Sequence, residues 1–114
     1  MQYSMYCDFE ASISAGVSRE EVEEAVQPML ALLGEGLGET EDYERSSDVW
    51  FDGQIAVASC HAYVSHDFPD AFIASCMALG KLASRPFKAT LSSEDNNGPE
   101  PSLLEACYGP SGGA

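Results

Sequence analysis

The order of elements along residues 1–92 predicts an α+β fold, a four-stranded antiparallel sheet carrying two helices on one face. Three observations carry that prediction. Residues 2–13 alternate apolar and polar without a break, Ser18 to Glu21 spell a helix start, and Asp52-Gly53 divides two apolar runs as a hairpin turn.

The first strand places Tyr3, Met5, Cys7, Phe9, Ala11 and Ile13 on a dry face, with Gln2, Ser4, Tyr6, Asp8, Glu10 and Ser12 on a wet one. After Gly16, Ser18 caps a helix and Glu21 completes a capping box, while Val17 and Val22 form a hydrophobic staple. Val22, Ala25, Val26, Met29 and Leu33 recur as its buried stripe, and Glu20, Glu23, Glu24 and Gln27 face water. Pro28 conflicts with this pattern and predicts a kink or a division into two helices. Gly34, Gly36 and Gly38 end the segment.

An acidic stretch, residues 39–48, leads into strands predicted over 43–50 and 54–65. In the second of these the apolar phase changes from Ile55 and Val57 to Cys60, Ala62 and Val64, which predicts a bulge near Ala58 or Ser59. The small residues Ala56, Ala58 and Ala62 predict close packing beneath a helix. That second helix starts at His66 to Asp70, with Asp67 as its cap, and buries Phe72, Ile73, Cys76, Met77 and Gly80. Phe87, Ala89 and Leu91 alternate with Lys88 and Thr90 in the last strand. Strand, helix, strand, strand, helix, strand is the ferredoxin-like split βαβ plan. The alternative is the same set of elements in another strand order. Residues 93–114, rich in Gly and Pro around Asn96-Asn97-Gly98-Pro99, read as a flexible acidic tail outside the single domain of residues 1–92.

Charge is the second theme. Residues 1–57 carry thirteen carboxylates against Arg19 and Arg45, and the remainder six against Lys81, Arg85 and Lys88, for a net charge of −14. Such a surface repels nucleic acid and anionic membrane and steers a basic partner toward it. Asp8 and Glu10 interrupt any signal-peptide core, and the longest apolar run, 55–64, is too short to span a bilayer, so a cytoplasmic location is expected. In that compartment Cys7, Cys60, Cys76 and Cys107 are expected as free thiols, three of them on apolar faces.

The chain offers little for catalysis. Cys60 and His61 point to opposite faces of a strand, and neither a Cys-x-x-Cys pair nor a His-x-x-x-His pair occurs, which argues against zinc. The acidic run at 39–48 lacks the ligand alternation and central glycine of a calcium loop. No catalytic, cofactor or metal site is therefore expected. On the open sheet, Tyr6 and Trp50 stand among Asp8, Glu10, Glu44, Asp48 and Asp52, a setting suited to a protein partner rather than to RNA.

The expected partner is the basic nucleic-acid-binding surface of a larger protein, such as a nuclease or effector complex, with carboxylates occupying phosphate positions. Small size and strong acidity give the chain the general profile of anti-CRISPR and anti-restriction antagonists, by analogy only. The contact residues expected are Glu20, Glu21, Glu23 and Glu24 on the helix, then Glu39, Glu41, Asp42, Glu44, Asp48 and Asp52, with Trp50 as the apolar anchor. A homodimeric regulatory or structural module, joined through the open face or the edge at 43–50, is the alternative.

Overall fold

The alternation of the first strand decides the layout of the whole molecule. In the computed structural model, which describes residues 3–38, 48–93 and 103–110, β1 (Tyr3–Ser12) is the central strand of a sheet. Its residues Met5, Cys7, Phe9 and Ala11 are buried, while Tyr6, Asp8 and Glu10 are exposed on the opposite face. α1 (Arg19–Leu33), β2 (Val49–Phe51), β3 (Ile55–Val64), α2 (Phe68–Gly80), β4 (Phe87–Ser93) and β5 (Leu103–Tyr108) follow. The fold is α+β, with two helices flanking the sheet in split βαβ-type packing. α1 packs against β2 and β3, α2 against β4 and β5, and the helices pack on each other.

Among the described residues the sheet has five antiparallel strands in the order β2-β3-β1-β4-β5, which corrects the four expected. The additional strand, β5, lies inside the span read as a tail. Its sequence, Leu-Leu-Glu-Ala-Cys-Tyr, lacks clean alternation and is bounded by Pro101 and Pro110, so the local pattern does not announce a strand. Pairing supplies what the pattern omits, since β4 offers β5 a full register from Phe87↔Tyr108 to Ser92↔Leu103. Two glycines let the end of β5 close on α2. A Cβ on Gly80 would lie 2.9 Å from the Gly109 amide nitrogen, and Gly109 itself holds φ +112°.

β1 and β3 pair without interruption from Tyr3↔Val64 to Ser12↔Ile55, so the expected bulge is absent. Ile55 and Val57 instead lie half-buried on the open face, and the fully buried positions are Ala56 and Ala58. Alanine is inward here because α1 lies close above β3. Apolar size was a misleading guide to side.

The same register sets Cys7 opposite Cys60, with Cα atoms 5.4 Å apart, inside the range a disulfide spans, and the two are bonded. This corrects the expectation of four free thiols; Cys76 and Cys107 remain free. Spacing alone could not select the pair, because the pairing follows from the strand register.

α1 runs through Pro28 without dividing. The proline leaves the Glu24 carbonyl without its usual donor. The next amide, Met29 N–H, donates to Ser75 Oγ on α2 at 3.2 Å. Ser75 is thus a fully buried polar residue with a defined task. It stands on the dry face of α2 with Phe68, Phe72, Cys76 and Leu79, whereas Met77, expected inside, is 58% exposed. Phe72 and Phe87 meet Phe9 at ring centroid distances of 6.1 and 5.8 Å, joining α2 and β4 to the central strand. Asp67 precedes α2 but makes no side-chain capping bond; its own amide donates to Ser65 Oγ.

Two stability outcomes follow. The disulfide closes a sequence separation of 53 residues, so a reductant should lower unfolding stability by about 4 kcal/mol in the chain-entropy account. Chemical denaturation with and without reductant measures this. Ser75→Ala should cost about 1 kcal/mol by removing the acceptor of Met29 N–H, read as a lower denaturation midpoint at unchanged slope.

Candidate partner-binding surface

The helix that carries the first acidic group begins as its sequence dictates. Ser18 Oγ accepts from the Glu21 amide at 3.2 Å, and Glu21 Oε1 accepts from the Ser18 amide at 3.3 Å. Glu21 is therefore occupied in its capping box, although exposed. Glu20, Glu23 and Glu24 are exposed and have no ion pair with any described residue.

Arg19, which could have neutralised them, points the other way. Its guanidinium donates to the carbonyls of Leu37 at 2.7 Å, Gly38 at 2.9 Å and Phe51 at 3.1 Å. Gly38 in turn bridges the outer side of β2, its amide donating to Val49 O and its carbonyl accepting from Phe51 N–H. One arginine thus fastens the start of α1 to the 37–38 segment and β2, and the described part of the 43–50 edge is already hydrogen-bonded.

The second acidic group divides. Glu39, Glu41, Asp42 and Glu44 lie outside the described residues. Asp52 shapes the hairpin: its Oδ1 accepts the amides of Gln54 and Ile55, both at 2.8 Å, beside Gly53 at φ +102°. Those two amides, Ile55 foremost, hold its carboxyl below the usual value of 3.8. Asp48 is half-buried, and its amide donates to Glu35 Oε1 at 2.9 Å. Burial, assisted by the nearby Asp48 charge, raises the Glu35 carboxyl above its usual 4.5. Glu35 was not among the expected contact residues; its position between glycines gave no sign of this burial. Trp50 is half-buried on the open face opposite Val57.

The open face itself is the surface that the expected contact list understated. Tyr6 and His61 face each other across β1 and β3, their rings stacked at 4.1 Å and 11°. His61 Nε2 lies 2.6 Å from the Ser4 hydroxyl. One step along, Asp8 sits between Ser59 on β3 and Thr90 on β4. These residues with Ser92 line a hollow in the sheet. Parity along β1 was the signal that could have singled out Asp8.

The four cysteines differ in their state, with Cys107 free and exposed. Burial pushes Cys76 up to about 12, so it stays protonated at neutral pH. Cys7 and Cys60 are bonded to each other. No group of three or more candidate metal ligands, and no helix long and apolar enough to cross a membrane, occurs among the described residues. No protein-family model, curated protein or solved structure significantly matches the chain.

The two shifted carboxyls act oppositely on stability. Asp52, lowered in the folded state, stabilises above 3.8 and loses that contribution as pH falls through its folded value. Glu35, raised, contributes fully below 4.5 and loses that contribution as pH rises through its folded value. Asp52→Asn should therefore destabilise at neutral pH and Glu35→Gln should stabilise, both differences shrinking in acid. Denaturation midpoints across the acid range check the two signs.

Proposed function

We propose that this chain is an acidic antagonist that docks on the basic, nucleic-acid-binding surface of a larger protein, in the manner of an anti-CRISPR, anti-restriction or immunity protein. The observation that carries the reading is the carboxylate row on α1, in which Glu20, Glu23 and Glu24 have no ion pair with any described residue. Glu20, Glu21, Glu23 and Glu24 fall within about 6 Å of helix axis, since each residue rises about 1.5 Å. That density approaches the one charge per about 1.7 Å of a nucleic-acid duplex. Arg19, the only basic residue on the helix, is turned to backbone carbonyls instead. The order β2-β3-β1-β4 is that of a ferredoxin-like unit, and we read β5 as an addition to it. The rigid sheet then supports two acidic faces, α1 on one side and the open face on the other.

The partner is a protein whose arginines and lysines ordinarily meet phosphates, and charge-assisted pairs replace those contacts. Direct nucleic-acid binding is opposed by the net charge of −14. The test is capture of host proteins on the immobilised chain at about 100 mM salt, followed by challenge with duplex DNA, RNA and about 500 mM salt. A single nucleic-acid-handling protein displaced by its own nucleic acid is the expected result. Recovery of further copies of this chain, with a salt-stable dimer in sedimentation, supports the homodimer reading instead.

The triple reversal Glu20→Lys, Glu23→Lys and Glu24→Lys spares the cap at Glu21. It should slow association with the captured partner about tenfold or more at low salt and flatten the salt dependence. The melting temperature serves as the control for the fold, and an unchanged association rate would exclude α1 as the docking surface.

A further inference from the structure

We infer that the hollow on the open sheet face is a seat for one arginine side chain of a basic protein partner, with Asp8 as its carboxylate and the Tyr6 ring as its wall. The inference rests on the docking reading above and adds a contact that α1 does not include.

The hollow has a built shape. Asp8 stands between two short hydroxyl side chains, Ser59 and Thr90, so its carboxylate has nothing bulky beside it across either neighbouring strand. Two residues back on the same face, about 7 Å along the strand, Tyr6 rises with His61 stacked behind it. Tyr6 remains 43% exposed.

Among the described residues no cation pairs with Asp8. Lys88 is 3.2 Å from Glu105, and Arg85 directs Nε and Nη2 to the Ser12 hydroxyl, each at 3.2 Å. Asp8 has no hydrogen bond or ion pair with any described residue. Glu10, next along the strand, is likewise unpaired among them and adds to the negative field.

A carboxylate with no described partner beside a partly exposed aromatic ring selects arginine by chemistry. A guanidinium gives Asp8 two parallel N–H donors while its plane lies on the ring, and its remaining N–H groups find the Ser59 and Thr90 hydroxyls. A lysine ammonium supplies the charge and can approach the ring, but neither the planar fork nor the stacking plane. The hollow therefore discriminates between the two cations, whereas the α1 row responds to charge alone.

The test uses the full isotope-labelled chain titrated with hexa-arginine and hexa-lysine peptides at about 50 mM salt, where screening is weak, with affinity read at each backbone amide. Hexa-arginine is expected to shift Tyr6, Asp8, Ser59 and Thr90 at lower concentration than hexa-lysine does. Asp8→Asn, which keeps the shape, should weaken hexa-arginine at those amides about tenfold or more and leave the α1 signals unchanged. Tyr6→Leu should erase the preference for arginine. Shifts confined to α1, or full affinity at the hollow in Asp8→Asn, would overturn the seat while leaving the acidic docking reading standing. Equal response to the two peptides would overturn the assignment to arginine. No response anywhere in the chain would overturn both readings.

Discussion

Strand pairing in this protein is anchored on β1, and every other feature inherits its two-residue period. One face of β1 gives the core Met5, Cys7, Phe9 and Ala11, and the other gives the surface Tyr6, Asp8 and Glu10. A slip of one residue against β3 would exchange the two sets, burying two carboxylates and exposing a phenylalanine. Burial of ionised carboxylates without partners is costly enough to penalise that slip heavily. The ladder with β3, the Cys7–Cys60 bond and the contact of Phe9 with Phe72 and Phe87 all specify the same register. The core and the open face are therefore two readings of a single alignment.

Charge is handled by placement more than by pairing. Three of the described cations serve as internal fasteners or small local pairs: Arg19 binds three carbonyls, Arg85 a serine hydroxyl and Lys88 one glutamate. Several carboxylates have structural tasks of their own, with Glu21 in a cap, Asp52 in a turn and Glu35 receiving the Asp48 amide. What is left over, on α1 and at Asp8 and Glu10, is free of such tasks among the described residues. These leftover charges cost self-repulsion within the fold, and they are the ones available to an outside cation.

Much of this architecture was legible in the sequence. The β1 alternation, the Ser18–Glu21 capping box, the Asp52-Gly53 turn and the buried stripe at Val22, Ala25, Val26 and Met29 all appear where local pattern placed them. The misses share a cause, namely information held by distant partners. β5 is defined by β4, the disulfide by the β1–β3 register, and the inward side of β3 by the helix that covers it. Ser75 reads as a polar interruption of a helix until Pro28 on the neighbouring helix gives it a donor. For the candidate surface, the identity of the exposed acids on α1 was readable, but the hollow was not. It arises from short side chains on three strands that are separated in sequence by about fifty and thirty residues.

The bond between Cys7 and Cys60 also changes the topology of the covalent chain. It converts everything between them, including α1, β2 and most of β3, into a closed ring from which the rest of the molecule departs at two points. A peptide bond cleaved anywhere inside that ring yields no separate fragments while the sulfurs remain joined. The nicked molecule would keep its mass apart from one added water, and gel mobility would reveal the cut only after reduction. Oxidised, the protein thus keeps its pieces joined after a single cut across about half its length, and only reduction separates them.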